Sequence, residues 1–294
     1  MSDTKTTVKS VTYLRSGNFP DHHYFFLGDE VPSSISNSAL ILRMGNSVTL
    51  KNENIGIYIN QDPQLIFYQL LSSLYGTHSN GEISNSVIIH PEAKIGDNVQ
   101  IDNFSIIGKA VISDNVIIRS HCYVHDNSFI GKNVTIENHS INGAQGVAWI
   151  WNDQETEKIV QPQLGGVEIK ENSFLGANTI VVRGSLNENS VIGKNTLLAP
   201  GCRIGHGTQI GDFVHFANNV ITGGNTNIGN NCFVGSAAVF RPKVKIHENT
   251  IIGAGAVVVK NTTEKGKTLV GVPAEEKETK AHPNGMPKPK SINN

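Results

Sequence analysis

An apolar residue recurs at every sixth position through the second half of the chain. The next residue is mostly Gly or Ala, and a small or β-branched residue follows four positions after the apolar one. A unit made of one short strand and one corner has this period, whereas an α-helix and a simple alternating strand do not. Three such units close one coil, so the pattern predicts a parallel β-helix. The series comprises Ile192, Leu198, Ile204, Ile210, Phe216, Ile228, Val234, Phe240, Ile246, Ile252 and Val258, with Thr222 as its exception.

The same stride sets the limits of this domain. It begins at Ile83, continues to Ile136 and returns at Ile169. Both tryptophans of the chain lie in the break between these last two positions. We therefore predict a β-helix domain over 81–275 with an inserted loop at 142–166. A long loop on a repetitive scaffold is usually functional, although a tolerated surface insertion is the alternative.

The two ends of the chain lack the repeat. Residues 1–80 contain short apolar runs and then Asp62–Tyr75, which predicts a helix with an Asp N-cap and a proline in its first turn. Residues 276–294 are polar and contain several prolines, which predicts a disordered tail. The expected fold class is therefore mainly β: a β-helix of hexapeptide repeats with a small N-terminal α/β domain.

Composition and charge exclude several classes of function. The net charge of −1 argues against nucleic acid as the main partner. No apolar run approaches the about 20 residues of a membrane span, and the first residues lack the apolar core of a signal peptide, so we expect a cytoplasmic protein. The three cysteines, Cys122, Cys202 and Cys232, fall at the small inward position of the repeat. We expect them to fill the core and to form neither a disulfide nor a zinc site.

Histidines are the candidates for general-base chemistry. His206 stands at an outward position of its repeat, and Gly205 and Gly207 on either side allow a ligand to approach. A solvated surface histidine would have the same spacing. His121 and His125 occupy different phases of the stride, so they are not expected to share a face. A metal site there would need a third histidine from a neighbouring subunit.

Several segments resemble the left-handed β-helix sugar acyltransferases. These are PQLGGVEIKENSFLGANTIVVRG (162–184), IGHGTQIGDFVHFANNVITGG (204–224), IIGAGAVVVKN and LVGVPAE. The pattern is most similar to the UDP-3-O-acylglucosamine N-acyltransferases of lipid A assembly, and the part from IGDFVHF onward also resembles acetyltransferases of bacterial amino-sugar modification. The resemblance implies a left-handed coil, His206 as the catalytic base, and a homotrimer with each site between two chains. IYINQDPQLIFYQLLSSLY (57–75) is similar to the end of the lipid A enzymes' N-terminal domain, which implies that residues 1–80 bind a nucleotide.

The sequence departs from the lipid A pattern at two places. Ala199 and Pro200 stand where those enzymes carry an Asp-Asn pair, and Lys243 stands near the position of a second histidine. The resemblance therefore implies a relative that acts on another nucleotide-linked amino sugar, carried by dTDP or UDP, in the synthesis of a surface polysaccharide.

Further site residues are expected in and beside the insertion, and of these the resemblance itself supplies Arg183, which aligns with an arginine of the family. Gly143, Gln145 and Trp149 of the insertion are expected to line the pocket for the sugar or the acyl chain. Arg183 is expected to orient that loop, with a structural salt bridge as the alternative.

The acyl donor is expected to be a short acyl-CoA, with no permanently bound cofactor and no metal. Arg241, Lys243 and Lys245 suit the phosphates of coenzyme A, although solvated charges would look the same. Few residues follow LVGVPAE and several are proline, so a helical element for docking an acyl carrier protein is not expected.

Other functions share parts of this pattern. The first alternative is lipid A acylation itself, using an acyl carrier protein, and the second is a sugar O-acetyltransferase. A sugar nucleotidyltransferase would need a larger N-terminal domain with a glycine-rich phosphate loop. A β-helix without catalytic activity is the non-enzyme alternative.

Overall fold

The computed structural model describes residues 23–25, 31, 35–45 and 48–278. The chain divides into two compact units, Met1–Thr77 and His78–Asn294. In the described part of the chain, no helix is both long and apolar enough to cross a membrane.

The described residues of the first unit form a three-stranded parallel sheet and one helix. The strands His23–Phe25, Ala39–Arg43 and Ile55–Ile59 lie in this order across the sheet, and the helix spans Pro63–Tyr75. As predicted, Asp62 caps the helix: its side chain accepts a hydrogen bond of 2.8 Å from the backbone N–H of Gln64.

The second unit is a left-handed parallel β-helix, so the predicted fold class is confirmed. Each coil contributes one strand to each of three sheets, which we call the first, second and third faces. The first face contains Ile88–Ile89, Ile106–Ile107, Tyr123–Val124, Ile141–Ala144, Ile180–Val182, Arg203–Ile204, Ile221–Thr222, Val239–Phe240 and Val257–Val258. The second face contains Lys94–Ile95, Val111–Ile112, Ser128–Ile130, Val167–Ile169, Ser190–Ile192, Gln209–Ile210, Asn227–Ile228 and Lys245–Ile246. The third face contains Gln100–Ile101, Ile117–Ile118, Thr135–Ile136, Phe174–Leu175, Leu197–Leu198, His215–Phe216, Phe233–Val234, Ile251–Ile252, Lys267–Val270 and Glu275–Glu278.

Two kinds of inward residue build the core. The residue of the six-residue stride stacks on its equivalents in the next coils and is fully buried at most positions. The small residue beside it often bonds to the backbone: the Cys122 thiol, for example, donates to the carbonyl oxygen of Glu137 at 3.1 Å. All three cysteines are buried and unpaired, as expected. Burial raises the pKa of Cys122 and Cys202 to about 11 and that of Cys232 to about 12, which removes them as nucleophiles.

Asparagine is frequent because it occupies corners. Many corner residues have a left-handed backbone, which Asn tolerates better than most residues. At one edge the side-chain amides also form a ladder from coil to coil, each Nδ2 donating to the next Oδ1 at 2.8–3.2 Å. The ladder joins Asn98, Asn115, Asn133 and Asn172.

The predicted inserted loop at 142–166 is in part regular structure. The strand Ile141–Ala144 continues into it, and Trp149–Trp151 pairs with Lys158–Val160 as an antiparallel hairpin. The stride did not reveal this hairpin because its strands leave the coil and no longer follow the six-residue period.

The predicted tail at 276–294 begins too early. Glu275–Glu278 forms a strand antiparallel to Lys267–Val270. The carboxylate of Glu276 accepts hydrogen bonds of 2.7 Å from the N–H and the hydroxyl of Thr263. Because charged residues form this strand, its hydrophobic pattern gave no signal. Residues 279–294 lie outside the described residues.

Candidate functional site

Five of the predicted site residues, together with His125 and Gly224, lie along one edge of the β-helix. This is the edge at which each coil turns from the first face to the second, and we call it the first edge. Each residue belongs to a first-face strand or lies within three residues after one. From the N-terminal coil onward they are His125, Gly143, Arg183, His206, Gly224, Arg241 and Lys243. Neighbouring coils lie about 4.8 Å apart, so the edge presents these groups as a row.

His206 is partly buried, and each of its two ring nitrogens has a neighbouring residue. Its Nδ1 lies 3.0 Å from the hydroxyl oxygen of Ser185. Its Nε2 lies above Gly224 in the next coil, so close that a Cβ built on Gly224 would overlap it. Ser185 therefore contacts Nδ1. Gly224 leaves room for Nε2 because it has no side chain.

The two glycines beside His206 are anchored by hydroxyls. The N–H of Gly205 donates to the Thr222 hydroxyl at 3.0 Å, and the N–H of Gly207 donates to the Ser190 hydroxyl at 2.8 Å. Both hydroxyls belong to buried residues. Thr222, the exception in the apolar stride, therefore holds the backbone that carries His206.

Glu188 lies near His206, but it does not replace the carboxylate that is missing at Ala199 and Pro200, because its oxygens are bonded to a backbone turn. Its two oxygens accept hydrogen bonds from the N–H groups of Ser185 (2.6 Å) and Leu186 (3.0 Å). Burial raises the pKa of this carboxyl, but the hydrogen bonds and the nearby His206 outweigh burial and leave the pKa below its usual value. The carboxylate stays charged and fixes the turn that carries Ser185.

Ser185→Ala is expected to lower kcat about tenfold with KM unchanged, because the substitution frees the imidazole without touching bound substrate. Ser185→Thr keeps the hydroxyl and should retain most of the activity. Steady-state kinetics of both variants would test this. A loss of the same size in Ser185→Thr, or a change confined to KM, would contradict a positioning role.

Arg183 holds the base of the insertion. Its Nε donates to the carbonyl oxygen of Gly143 at 3.0 Å, and an Nη donates to that of Asp126 at 2.9 Å. It forms no ion pair with any described carboxylate, so it orients the loop through carbonyl groups. Gly143 has a φ of +92°, and a Cβ there would lie 2.9 Å from the Cβ of His125. Only glycine suits this position.

His125 is a further imidazole on the first edge. Its ring stacks on Tyr123 with a centroid distance of 3.8 Å. Burial, followed by the charge of Arg183, lowers the pKa of His125. His121 lies at the other end of the same strand, where it stacks between Phe104 and His139. Nowhere in the described ranges do three His, Cys, Asp or Glu side chains come together as a metal site.

The outer insertion residues lie apart from His206. Trp149 packs edge-on against Trp151, and the Lys158 ammonium lies 4.1 Å from the centre of the Trp149 ring. Gln145 is exposed. In the described chain no hydrogen bond or ring contact joins Trp149 or Gln145 to His206, so their predicted role at the substrate stays a prediction.

Arg241, Lys243 and Lys245 have exposed side chains that form no ion pair with described residues. Arg241 and Lys243 belong to the first edge, and Lys245 points outward on the second face. Lys243 has a φ of +66° at a corner where other coils place Gly207 and Asn225. These cations are free to bind an anionic ligand.

Comparison with known proteins agrees with this architecture. Residues 189–224 and 225–260 match the bacterial transferase hexapeptide model, which describes six repeats. The UDP-3-O-acylglucosamine N-acyltransferase of Bordetella avium (strain 197N) is 37% identical over 106 residues, 36% of this chain and 29% of that relative. The enzyme of the same name from Delftia acidovorans is 31% identical over 134 residues, 46% of this chain and 39% of that relative. The resemblance found in the sequence is confirmed, although the chain spans well under half the length of these relatives.

Solved structures share the fold. The UDP-N-acetylglucosamine O-acyltransferase of Moraxella catarrhalis RH4 superposes with a TM-score of 0.59 at 23% identity, over 66% of this chain and 73% of that one. LpxA from Acinetobacter baumannii gives a TM-score of 0.58 at 27% identity, over 66% and 72% of the two chains.

Proposed function

We propose that the protein is an N-acyltransferase that moves an acyl group from a thioester to the amino group of a nucleotide-linked sugar. The observation that carries this proposal is the His206 imidazole, held by Ser185 over Gly224 on a hexapeptide edge. His125 is the other imidazole of this row, but its ring stacks on Tyr123, whereas the Nε2 of His206 faces the backbone of Gly224. Acyl transfer to an amine needs one base beside an open surface. The names of the curated relatives supply the reaction class.

The chemistry follows from the geometry. The amine nitrogen attacks the thioester carbonyl carbon and forms the C–N bond, and His206 accepts a proton from that nitrogen. The C–S bond then breaks, and the thiolate leaves with the proton returned by the imidazolium. The N–H of Gly224 donates to no described acceptor and adjoins the ring, so it suits the oxyanion of the tetrahedral intermediate.

The Ser185 hydroxyl, which contacts Nδ1 of His206, favours an amine over an alcohol as the acyl acceptor. A neutral amine attacks before it loses its proton, whereas an alcohol must be deprotonated as it attacks. In this site a neutral hydroxyl contacts Nδ1, and the nearest carboxylate, on Glu188, is engaged by backbone N–H groups. A hydroxyl partner strengthens the imidazole as a base less than a carboxylate partner would. The weaker base is sufficient for an amine acceptor.

The relatives favour UDP as the nucleotide. The curated relatives named above act, by their names, on a UDP-linked glucosamine derivative. This supports the lipid A alternative better than a dTDP-linked sugar. We infer a UDP-linked amino sugar as acceptor and residues 1–80 as the domain that binds its nucleotide.

The donor in this proposal is an acyl-CoA that is bound only during turnover. Arg241, Lys243 and Lys245 are exposed and unpaired within the described residues, so their charges can meet the phosphates of coenzyme A. An acyl carrier protein would carry the same thioester on a phosphopantetheine arm, so donor competition would distinguish the two.

The protein is expected to be a homotrimer, with a mass in dilute solution of three times the 31.8 kDa chain. The outward positions of the first face are almost all apolar, and Ile88, Tyr123 and Ile221 are 64%, 37% and 44% exposed. Such a row beside the first edge favours covering by another copy. Multi-angle light scattering would measure the mass, and a monomer would contradict a site shared between chains.

A thiol-release assay tests the proposed function. Acetyl-, butanoyl- and hexanoyl-CoA would each be combined with UDP- and dTDP-linked amino sugars. We expect release with at least one UDP-linked amino sugar and none with its hydroxyl analogue. No release from any combination, including acyl carrier protein donors, would contradict the proposal.

A further inference from the structure

Within the described chain, the outer part of the insertion forms hydrogen bonds only to itself. We call this part, residues 147–162, the arm. Its bonds are the ladder of the hairpin, the Gln161 N–H to the Ala148 carbonyl oxygen at 2.8 Å, and those of the turn. The ring of Trp149 likewise contacts Trp151 and Lys158, which also belong to the arm. The arm therefore stands on the coil as a separate body.

Two short legs carry the arm on the first edge. A hydrogen bond of 2.6 Å joins them, from the N–H of Gly146 to the Oε1 of Gln163, and we call this pair the joint. Below the joint both legs are bonded to the coil. Ala144 accepts a hydrogen bond from the Arg183 N–H at 3.1 Å, and the N–H of Leu164 donates to the carbonyl oxygen of Ser185 at 3.0 Å. Movement of the arm would therefore occur at the joint.

The root of the insertion buries polar groups without partners. Asn142 is fully buried between Val124 and Val181 of the neighbouring coils, and neither its Nδ2 nor its Oδ1 has a partner among the described residues. The Nε2 of Gln163 and the Oγ of Ser128 are also buried without a described partner. An unmade hydrogen bond of a buried group opposes folding. The observed position of the arm therefore does not satisfy its own root.

We propose that the arm is a lid that closes over a nucleotide-linked sugar bound at the first edge. The proposal rests on the proposed function, which supplies this ligand. The legs follow a first-face strand two coils before His206, on the side of Arg183. Arg241 and Lys243, which we assign to the donor, lie two coils after His206. The acceptor is therefore the substrate that the arm can reach.

Closure changes both the root and the aromatic surface of the arm. Movement at the joint lets the amides of Asn142 and Gln163 gain partners in solvent or in the ligand. The Trp149 ring offers a flat apolar surface to the sugar or the base, and here the Lys158 ammonium covers it at 4.1 Å. Once released from the ring, this ammonium can pair with the diphosphate of the acceptor. A closed lid also keeps water from the thioester.

Tryptophan fluorescence tests the lid without turnover, because Trp149 and Trp151 are the only tryptophans of the chain. Both are exposed, at 42% and 47%, so covering them should shift their emission to shorter wavelength. A UDP-linked amino sugar, added without donor, should cause this shift in a saturable way. Coenzyme A alone should leave the emission unchanged.

Asn142→Val separates a lid from a static loop. The substitution restores the apolar stride and removes the unpaired amide, which favours the observed position of the arm over the closed one. We expect a higher thermal unfolding midpoint and an emission shift that requires about tenfold more sugar nucleotide. Thr250→Val is the matched control, because the Thr250 hydroxyl is also buried without a described partner but precedes a third-face strand away from the insertion. It should leave the concentration dependence of the shift unchanged.

Calorimetry on the same samples measures binding independently of the emission. Binding of the sugar nucleotide without a shift, a shift caused by coenzyme A, or no binding of the sugar nucleotide would overturn the proposal. An Asn142→Val variant that shifts like the unchanged protein, or that unfolds at a lower temperature, would also overturn it. A shift with the acceptor but no thiol release would retain the lid and contradict the proposed function. Thiol release without a shift would do the reverse.

Discussion

His206→Ala is expected to lower kcat by about 10²-fold or more while leaving the fold intact. The imidazole is the group that can accept the amine's proton, and its ring lies on the surface of a corner whose glycines are anchored independently of it. We expect the low end of the general-base range because a hydroxyl, not a carboxylate, contacts Nδ1. Steady-state kinetics with saturating donor and acceptor would measure the loss.

The matched control is His121→Ala, which removes an exposed imidazole at the opposite end of a first-face strand. It should retain nearly normal kcat. A His206→Ala variant with near-normal kcat would show that the imidazole positions substrate and that the proton leaves by another route, such as the departing thiolate.

Gly224→Ala is expected to reduce kcat about as strongly as the loss of His206 itself. The added Cβ would overlap Nε2, the tip of a side chain that can rotate away, so the imidazole moves and the backbone stays. Gly224 has no left-handed φ, so alanine fits its backbone conformation. The expected signature is a large loss of kcat with little change in the thermal unfolding midpoint.

Two comparisons make this result specific. Gly255→Asn, at a corner with open space and the left-handed φ that Asn adopts elsewhere in the chain, should retain activity. His206→Ala/Gly224→Ala should be no slower than either single variant, because both changes remove the same group. Additive losses in the double variant would contradict a steric effect on His206.

The β-helix could be predicted from the sequence because its core residues stack along a single axis. Each inward residue packs on its equivalent in the next coil, so the six-residue stride carries the fold directly. The placement of Arg183, His206 and Arg241 on one edge follows from the same stride. The Asp62 cap of the first-unit helix was also readable, since it depends only on neighbours in sequence.

The neighbours of His206 could not be predicted, because they belong to a segment that does not follow the six-residue repeat. Between Val181 and Ile192 the chain takes an 11-residue step, and this longer corner brings Ser185 and Glu188 to the imidazole. The irregular step was the available signal, but a longer corner does not say which side chains turn toward a neighbouring coil.

The order of the coils places cations on both sides of His206 along the first edge. Arg183 lies in the coil before His206, and Arg241 and Lys243 lie two coils after it. The coil spacing of about 4.8 Å fixes this arrangement without any movement of the scaffold.

The most direct test of N-acyl transfer is mass spectrometry of the product formed from a UDP-linked amino sugar and hexanoyl-CoA. We expect a sugar nucleotide heavier by one acyl group, stable to hydroxylamine as an amide is, and formed about 10²-fold more slowly when Gly224→Ala replaces the unchanged protein. A product that hydroxylamine cleaves, or transfer to the matched hydroxyl sugar at the same rate, would contradict it.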